Sequence, residues 1–327
     1  MSAQGPAAQG AAQGPRVEVL QHLDEGELAA VAVVVERATE ADGVRPLSEH
    51  VMLHLRHGGD AVDRHVLVYA GPDRLAGYAH LDATDEVVGS SAELVVDPGL
   101  RGQGYGRRLV RQLLAESPDG RLRLWSHGGH PAAAALAASM GFTLSRSLWQ
   151  MRRSLYAPLP QPVLPDGVYV RTFRPGADDD AWLALNAQAF ASHPEQGRWT
   201  QDDLAHRLSE PWFDPGGFFL AVRHPDRLVG FHWTKVHGAG AHGHEPIGEV
   251  YVVGVDPSEQ GHGLGKALTL VGLQHMRADG LASVLLYVDE ENTPAIRLYG
   301  DLGFTRWDVD VMFTAPEPGS AAGAPAR

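Results

Sequence analysis

Two stretches of this chain place glycines where a bulky anion could approach the backbone. Gly102-Gln103-Gly104-Tyr105-Gly106 follows Val96-Asp97-Pro98, and Gly261-His262-Gly263-Leu264-Gly265 follows Val255-Asp256-Pro257. Glycines between a strand and a helix let backbone N–H groups converge on a pyrophosphate, and the helix N-terminus favours its charge. A Walker A loop is excluded because Lys266 is followed by Ala267 and the earlier glycine is missing, and G-x-G-x-G departs from the dinucleotide fingerprint. Glu249 and Tyr299 have side chains that can accept and donate a proton. Counting back 159 and 162 residues from them reaches Ser90 and Ala137, which do neither. Glu93 lies three residues from Ser90, a separation that on an ideal strand reverses the face. The second half is therefore expected to be the catalytic one.

These residues belong to an internal repeat. Asp97 and Asp256 stand 159 residues apart, and Met140-Gly141-Phe142 recurs as Leu302-Gly303-Phe304. In the second copy Phe218–Arg223, Leu228–Val236, Glu249–Val255, Ala282–Val288 and Phe304–Phe313 read as strands, with helices over Gly263–Ala278 and Thr293–Leu302. The first copy repeats that order. The expected fold is α/β (α+β), occurring twice. A proline-rich run, 154–167, gives the expected domains: 16–153, then the linker 154–167, then 168–314, with disordered tails at 1–15 and 315–327.

The 327 residues carry 27 Lys+Arg against 40 Asp+Glu, a net charge of −13 that argues against nucleic acid and anionic membranes as partners. No cysteine is present, which removes thiolate metal sites and an acyl-cysteine intermediate, so any acyl transfer would be direct. His237, His242, His244 and Glu245 sit among glycines and read as a hairpin loop; no metal is expected. Neither a signal peptide nor a membrane span is read, and a cytoplasmic monomer is expected.

The Arg/Gln-x-x-Gly-x-Gly loop after a strand, followed by a short helix and Leu/Met-Gly-Phe, resembles the GNAT superfamily of acyl-CoA-dependent N-acyltransferases. The resemblance covers both halves and implies two tandem domains, each a mixed central sheet flanked by helices, with acetyl-CoA as co-substrate. In the second copy it implies cofactor contacts from Val253, Gly254, Val255, Gln260, Gly261, His262, Gly263, Leu264, Gly265, Lys266, Asn292, Thr293, Pro294, Ala295, Ile296 and Arg297. In the first it implies Leu94, Val95, Val96, Gly102, Gln103, Gly104, Tyr105, Gly106 and Arg107. The stretches His193–Gly197, Gly230–Val236, Gly248–Pro257 and Leu285–Val288 are similar to an actinobacterial tandem-domain branch that acetylates the cysteinyl amine of a cysteinyl-glucosaminyl-inositol. That likeness implies Glu249 as base and Tyr299 as acid. It also implies Glu49, Glu195, Lys235, Glu249 and Tyr287 as contacts to the thiol-sugar. Another acceptor, such as an aminoglycoside or peptide amine, and a non-catalytic acetyl-CoA sensor remain open.

Overall fold

The computed structural model describes residues 15–85, 88–191, 194–238 and 245–317, with the side chains of 194 and 195 outside that set. Most of the two expected tails, and His193, His242 and His244, also lie outside the described residues. The chain divides into two compact units, one formed by residues up to Ser147 with Asp310 onward, the other by Leu148–Val309.

In the first unit β1 (Arg16–Leu20), β2 (Arg64–Tyr69), β3 (Leu75–Asp82) and β4 (Ser90–Val96) pair antiparallel in order. Strand β5 (Leu122–Ser126) then runs parallel to β4. Helices α1 (Glu25–Asp42) and α2 (Glu49–His57) cover one face, burying Val31, Val34, Val35 and Val51 against Leu67, Tyr78 and Val95. Helix α3 (Tyr105–Glu116) and α4 (Pro131–Ser139) cover the other through Leu109, Leu113 and Ala137. Asp24 and Glu27 form a capping box that starts α1, and Gly43 at φ 71° ends it.

The second unit repeats the plan. Its strands β7 (Val168–Thr172), β8 (Phe218–Arg223), β9 (Arg227–His237) and β10 (Ile247–Val255) are antiparallel neighbours, and β11 (Ser283–Asp289) runs parallel to β10. Helices α5 (Asp179–Ala189), α6 (Pro194–Gly197) and α7 (Gln201–Leu208) precede β8 in the chain. Trp182 and Leu185 of α5 and Leu204 of α7 pack with Phe218, Phe231 and Trp233 on one face. Helix α8 (Leu264–Ala278) and α9 (Thr293–Asp301) cover the other face with Leu270, Leu273, Met276 and Tyr299.

The units divide elsewhere than at the proline-rich run, which falls inside the second unit. Strand β6 (Thr143–Ser154) follows the first copy, yet its residues Leu148–Ser154 pair antiparallel with β11. Strand β12 (Thr305–Thr314) follows the second copy, yet Val311–Thr314 pair with β5. Each sheet is completed by the last strand of the other sequence half. The proline count marks an irregular segment but carries no information about which edge a strand joins.

Candidate active site

In both units the parallel pair of strands separates partway. Strand β4 pairs with β5 from Ser90 to Glu93, and β10 pairs with β11 only at Gly248 and Glu249. Beyond those points Leu94–Val96 and Val253–Val255 keep their antiparallel neighbours and have no parallel partner among the described residues. A backbone edge left free in this way can hydrogen-bond an extended ligand as a strand would. In the first unit the gap opens into a cleft of about 550 Å³ lined by Leu94, Val96, Gly102, Gly104, Tyr105, Trp125 and His127 among others.

The glycine loops close one end of each gap. Gly102 and Gly104 adopt φ of 75° and 87°, and Gly261 and Gly263 adopt 80° and 82°. Gly104 and Gly263 are the N-caps of α3 and α8, and neither helix has a side-chain cap. The first amides of both helices are thus without a side-chain acceptor, which suits them to an anion. Each loop is braced alike. Asp97 accepts from the Gly99 amide and Asp256 from the Ser258 amide, both at 2.8 Å, while Arg101 and Gln260 donate to the carbonyls of Val96 and Val255 at 3.3 and 3.4 Å. Lys266 is exposed and makes no ion pair among the described residues, whereas Arg107 donates to Ser139 Oγ at 2.8 Å. Asn292 caps α9 at Ala295, with Thr293, Pro294 and Arg297 exposed and Ala295 and Ile296 half-buried.

Glu249 is buried on β10, directly opposite Lys235 and one diagonal step from His237 on β9. His237 Nε2 lies 2.6 Å from its Oε2. Lys235 is also buried, its ammonium 4.4 Å from the centre of the Trp212 ring and 5.1 Å from that of Tyr251. Sequence reasoning set His237 aside in a glycine-rich loop; instead it closes β9, and the two-residue step from Lys235 is the signal that puts it beside Glu249. Tyr299 packs edge-on against Phe304, with ring centres 5.8 Å apart. Burial pushes its phenol up to about 12, and its hydroxyl has no hydrogen-bond partner among the described residues. Tyr287 is exposed and accepts from Gln150 at 2.8 Å. The side chain of Glu195 is outside the described residues, and Glu49 opens α2 in the first unit.

The face assigned to Glu93 needs correction. Val96 pairs with Gly77 and Val255 with Gly230; five residues further along β3 and β9, Asp82 faces Ser91 and Lys235 faces Glu249. A β-bulge at Tyr251 inserts one residue into β10, while β4 has none. The strand equivalent of Glu249 is therefore Ser91, and Glu93, two residues on, shares its face rather than opposing it. Its carboxylate is already engaged. It accepts from the Ser48 amide and lies 3.5 Å from His127 Nε2, while Asp310 Oδ2 is 2.9 Å from His127 Nδ1. Burial would lower the His127 pKa, but hydrogen bonds and charge from Asp310 and Glu93 outweigh it and raise it to about 10.

Residues 62–144 match the acetyltransferase (GNAT) domain model, and residues 181–304 match the acetyltransferase (GNAT) family model. The chain is 61% identical over 334 residues to the mycothiol acetyltransferase of Streptosporangium roseum, covering 91% of this chain and 98% of that one. It is 58% identical to the enzyme of that name from Acidothermus cellulolyticus, covering 91% and 94%. Among solved structures, a tandem GNAT protein from the clavulanic acid biosynthesis pathway superposes with a TM-score of 0.71 at 20% identity, covering 94% and 99%. A GCN5-related N-acetyltransferase from Sphaerobacter thermophilus gives 0.65 at 26%, covering 93% and 96%. Repeated loop, separating strands and near-complete coverage of these relatives agree: the chain is an acetyltransferase with two GNAT domains and belongs to the mycothiol acetyltransferase family.

Proposed function

We propose that this chain makes mycothiol, transferring acetyl from acetyl-CoA directly to the cysteinyl amine of a cysteinyl-glucosaminyl-inositol, with the second unit as the catalytic one. The observation that carries the assignment is the contrast between Glu249 and Glu93. Glu249 ends the paired part of β10, where the strands separate, and its bonded neighbour is a half-exposed histidine. Burial would raise the Glu93 pKa, but the His127 ring 3.5 Å away and the Ser48 amide hold it below the usual carboxylate range, which makes it a poor base.

An α-amino group has a reference pKa of about 7.7–8.0, so part of the acceptor is already neutral near pH 7. As the new C–N bond forms, Glu249 takes the amine proton, which then leaves to solvent through His237 beside it. Within Val253–Val255, the amides that face the gap rather than β9 polarise the acetyl oxygen. As the C–S bond breaks, Tyr299 protonates the departing sulfur; with a pKa near 12 it is protonated beforehand and regains its proton from water. Lys235 and Tyr287 offer donors to sugar and inositol hydroxyls. The glycine loop of α8 fits the pyrophosphate through uncapped amides, with Lys266 available to a further phosphate. The loop of α3 has the same form, and the first unit is assigned acetyl-CoA binding without turnover.

The test is to incubate the purified protein with acetyl-CoA and the cysteinyl-glucosaminyl-inositol and follow the acceptor by mass spectrometry. One added acetyl group on nitrogen, lost in Glu249→Gln, supports the proposal. Equal or better turnover of an aminoglycoside or peptide amine would replace the acceptor, and acetyl-CoA binding without transfer to any amine would sink the catalytic reading.

A further inference from the structure

We propose that His54, Asp63 and His80 of the first unit form a binding site for a single divalent transition-metal ion of the zinc class. The three residues come from different places in the chain: His54 from α2, Asp63 from the residue preceding β2, and His80 from β3. One donor atom from each lies within 4.8 Å of the other two. His54 Nδ1 is 2.9 Å and His80 Nε2 is 3.6 Å from Asp63 Oδ2. Bonds of ~2.0–2.2 Å to a common tetrahedral ion hold ligand atoms roughly 3–4 Å apart, so the donors need little movement to close on an ion.

The state of those atoms separates this cluster from an ordinary hydrogen-bonded one. His54 Nδ1, His80 Nε2 and Asp63 Oδ1 are buried and have no hydrogen bond of acceptable geometry. The Asp63 and His80 side chains are 0% and 1% exposed, and that of His54 is 11% exposed, which leaves a route in. Buried polar atoms without partners are costly, and an ion between the two rings and the Asp63 carboxylate satisfies both ring nitrogens at once. The surroundings have the form of an outer sphere. The Asp60 amide donates to Asp63 Oδ2 at 2.8 Å, and His65, opposite His80 on β2, is fixed by a 2.8 Å bond between its Nδ1 and the Tyr78 hydroxyl. A Cβ at Gly59 would collide with the Asp63 carboxylate and crowd the His54 ring, so the backbone there is cut to the cluster. Glu93 faces His80 across β4, while Asp82 and His50 form a separate contact at 3.5 Å. Two imidazoles and one carboxylate suit zinc or a neighbouring late first-row ion, with water completing the shell. An ion there would tie α2 to the sheet of the first unit. This inference stands apart from the assignment of the acceptor, since none of the three residues is placed in the acetyl-transfer machinery.

The experiment uses the untagged full chain, loaded with zinc, passed through gel filtration and assayed for metal, alongside cobalt(II) titration followed by visible absorption. Wild type should retain about one zinc per chain and develop a cobalt band, and zinc should raise its thermal midpoint. His80→Ala and Asp63→Asn should bind more than ~100-fold more weakly, beyond the loss typical of an outer-sphere partner. His54→Ala, at the more accessible edge, serves as the second variant should the buried ones fail to fold; it should keep the wild-type circular dichroism and lose the ion. Wild type retaining no more zinc than His54→Ala, with no thermal shift, would overturn the proposal and leave a hydrogen-bonded cluster.

Discussion

Glu249 and Glu93 carry the same side chain on equivalent strands, and their neighbours set their chemistry apart. Glu93 accepts from a backbone amide beside the His127 ring and is held below the usual carboxylate range, whereas Glu249 stands where the paired strands separate. Glu249→Gln should therefore lower kcat by about 10²–10⁴-fold with little change in acetyl-CoA affinity. Tyr299→Phe should cost less, about 10–100-fold, because a thiolate is a fair leaving group. Steady-state kinetics paired with calorimetric binding of acetyl-CoA checks both, and full turnover in either variant removes that residue from its role. His127 gives a prediction on stability. Its folded pKa of about 10 exceeds the ordinary value of 6.5, so its contribution is fully present below about pH 6.5 and is lost as pH rises toward 10. Urea midpoints should fall across that window in the wild type. Asp310→Ala should destabilise by about 3 kcal/mol at neutral pH and flatten the dependence.

At the scale of elements, the glycine loops were legible because a positive φ restricts the choice of residue. Gly104 and Gly263 sit at 87° and 82°, and little else is tolerated there. Gly263→Ala should thus raise the KM for acetyl-CoA while leaving the amine site untouched, measured by varying each substrate in turn; an unchanged KM would count against the loop as the pyrophosphate site. The strands of the repeat were legible from their apolar runs, while a constant offset set Glu249 against Ser90, one residue short of Ser91, its equivalent in the ladder. What the offset missed is the bulge at Tyr251, since one extra residue on one strand leaves no mark in composition but moves every upstream side chain to the opposite face. His237 was missed for a related reason: glycines next to it suggested a turn, while the ladder runs on until His237 pairs with Ile247. Clusters such as His54, Asp63 and His80 are harder still to read, because their spacing follows no single element's period.

At the scale of the whole molecule, two copies of a domain were legible from the repeat, but not the allocation of their last strands. A strand edge with unpaired amides will pair with whatever complementary strand reaches it, and hydropathy does not name the partner. In the first unit Val311–Thr314 cover β5, and Asp310 bonds both the His127 ring and the Gly128 amide at 2.9 Å. In the second, Leu148–Ser154 pair with β11 at seven successive positions. Cutting the chain in the proline-rich run would therefore not release two finished domains. Residues 1–154 would keep a bare β5 edge and a buried imidazolium short of one carboxylate, and residues 155–327 would keep a bare β11 edge. Each fragment expressed alone should unfold without a cooperative transition and aggregate, while co-expression should restore a soluble complex with acetyltransferase activity. A fragment 155–327 that unfolds cooperatively and turns over at the full-length rate would mean that the exchanged strand is dispensable to the second unit's sheet, and that the first copy's last strand is carried there without being needed.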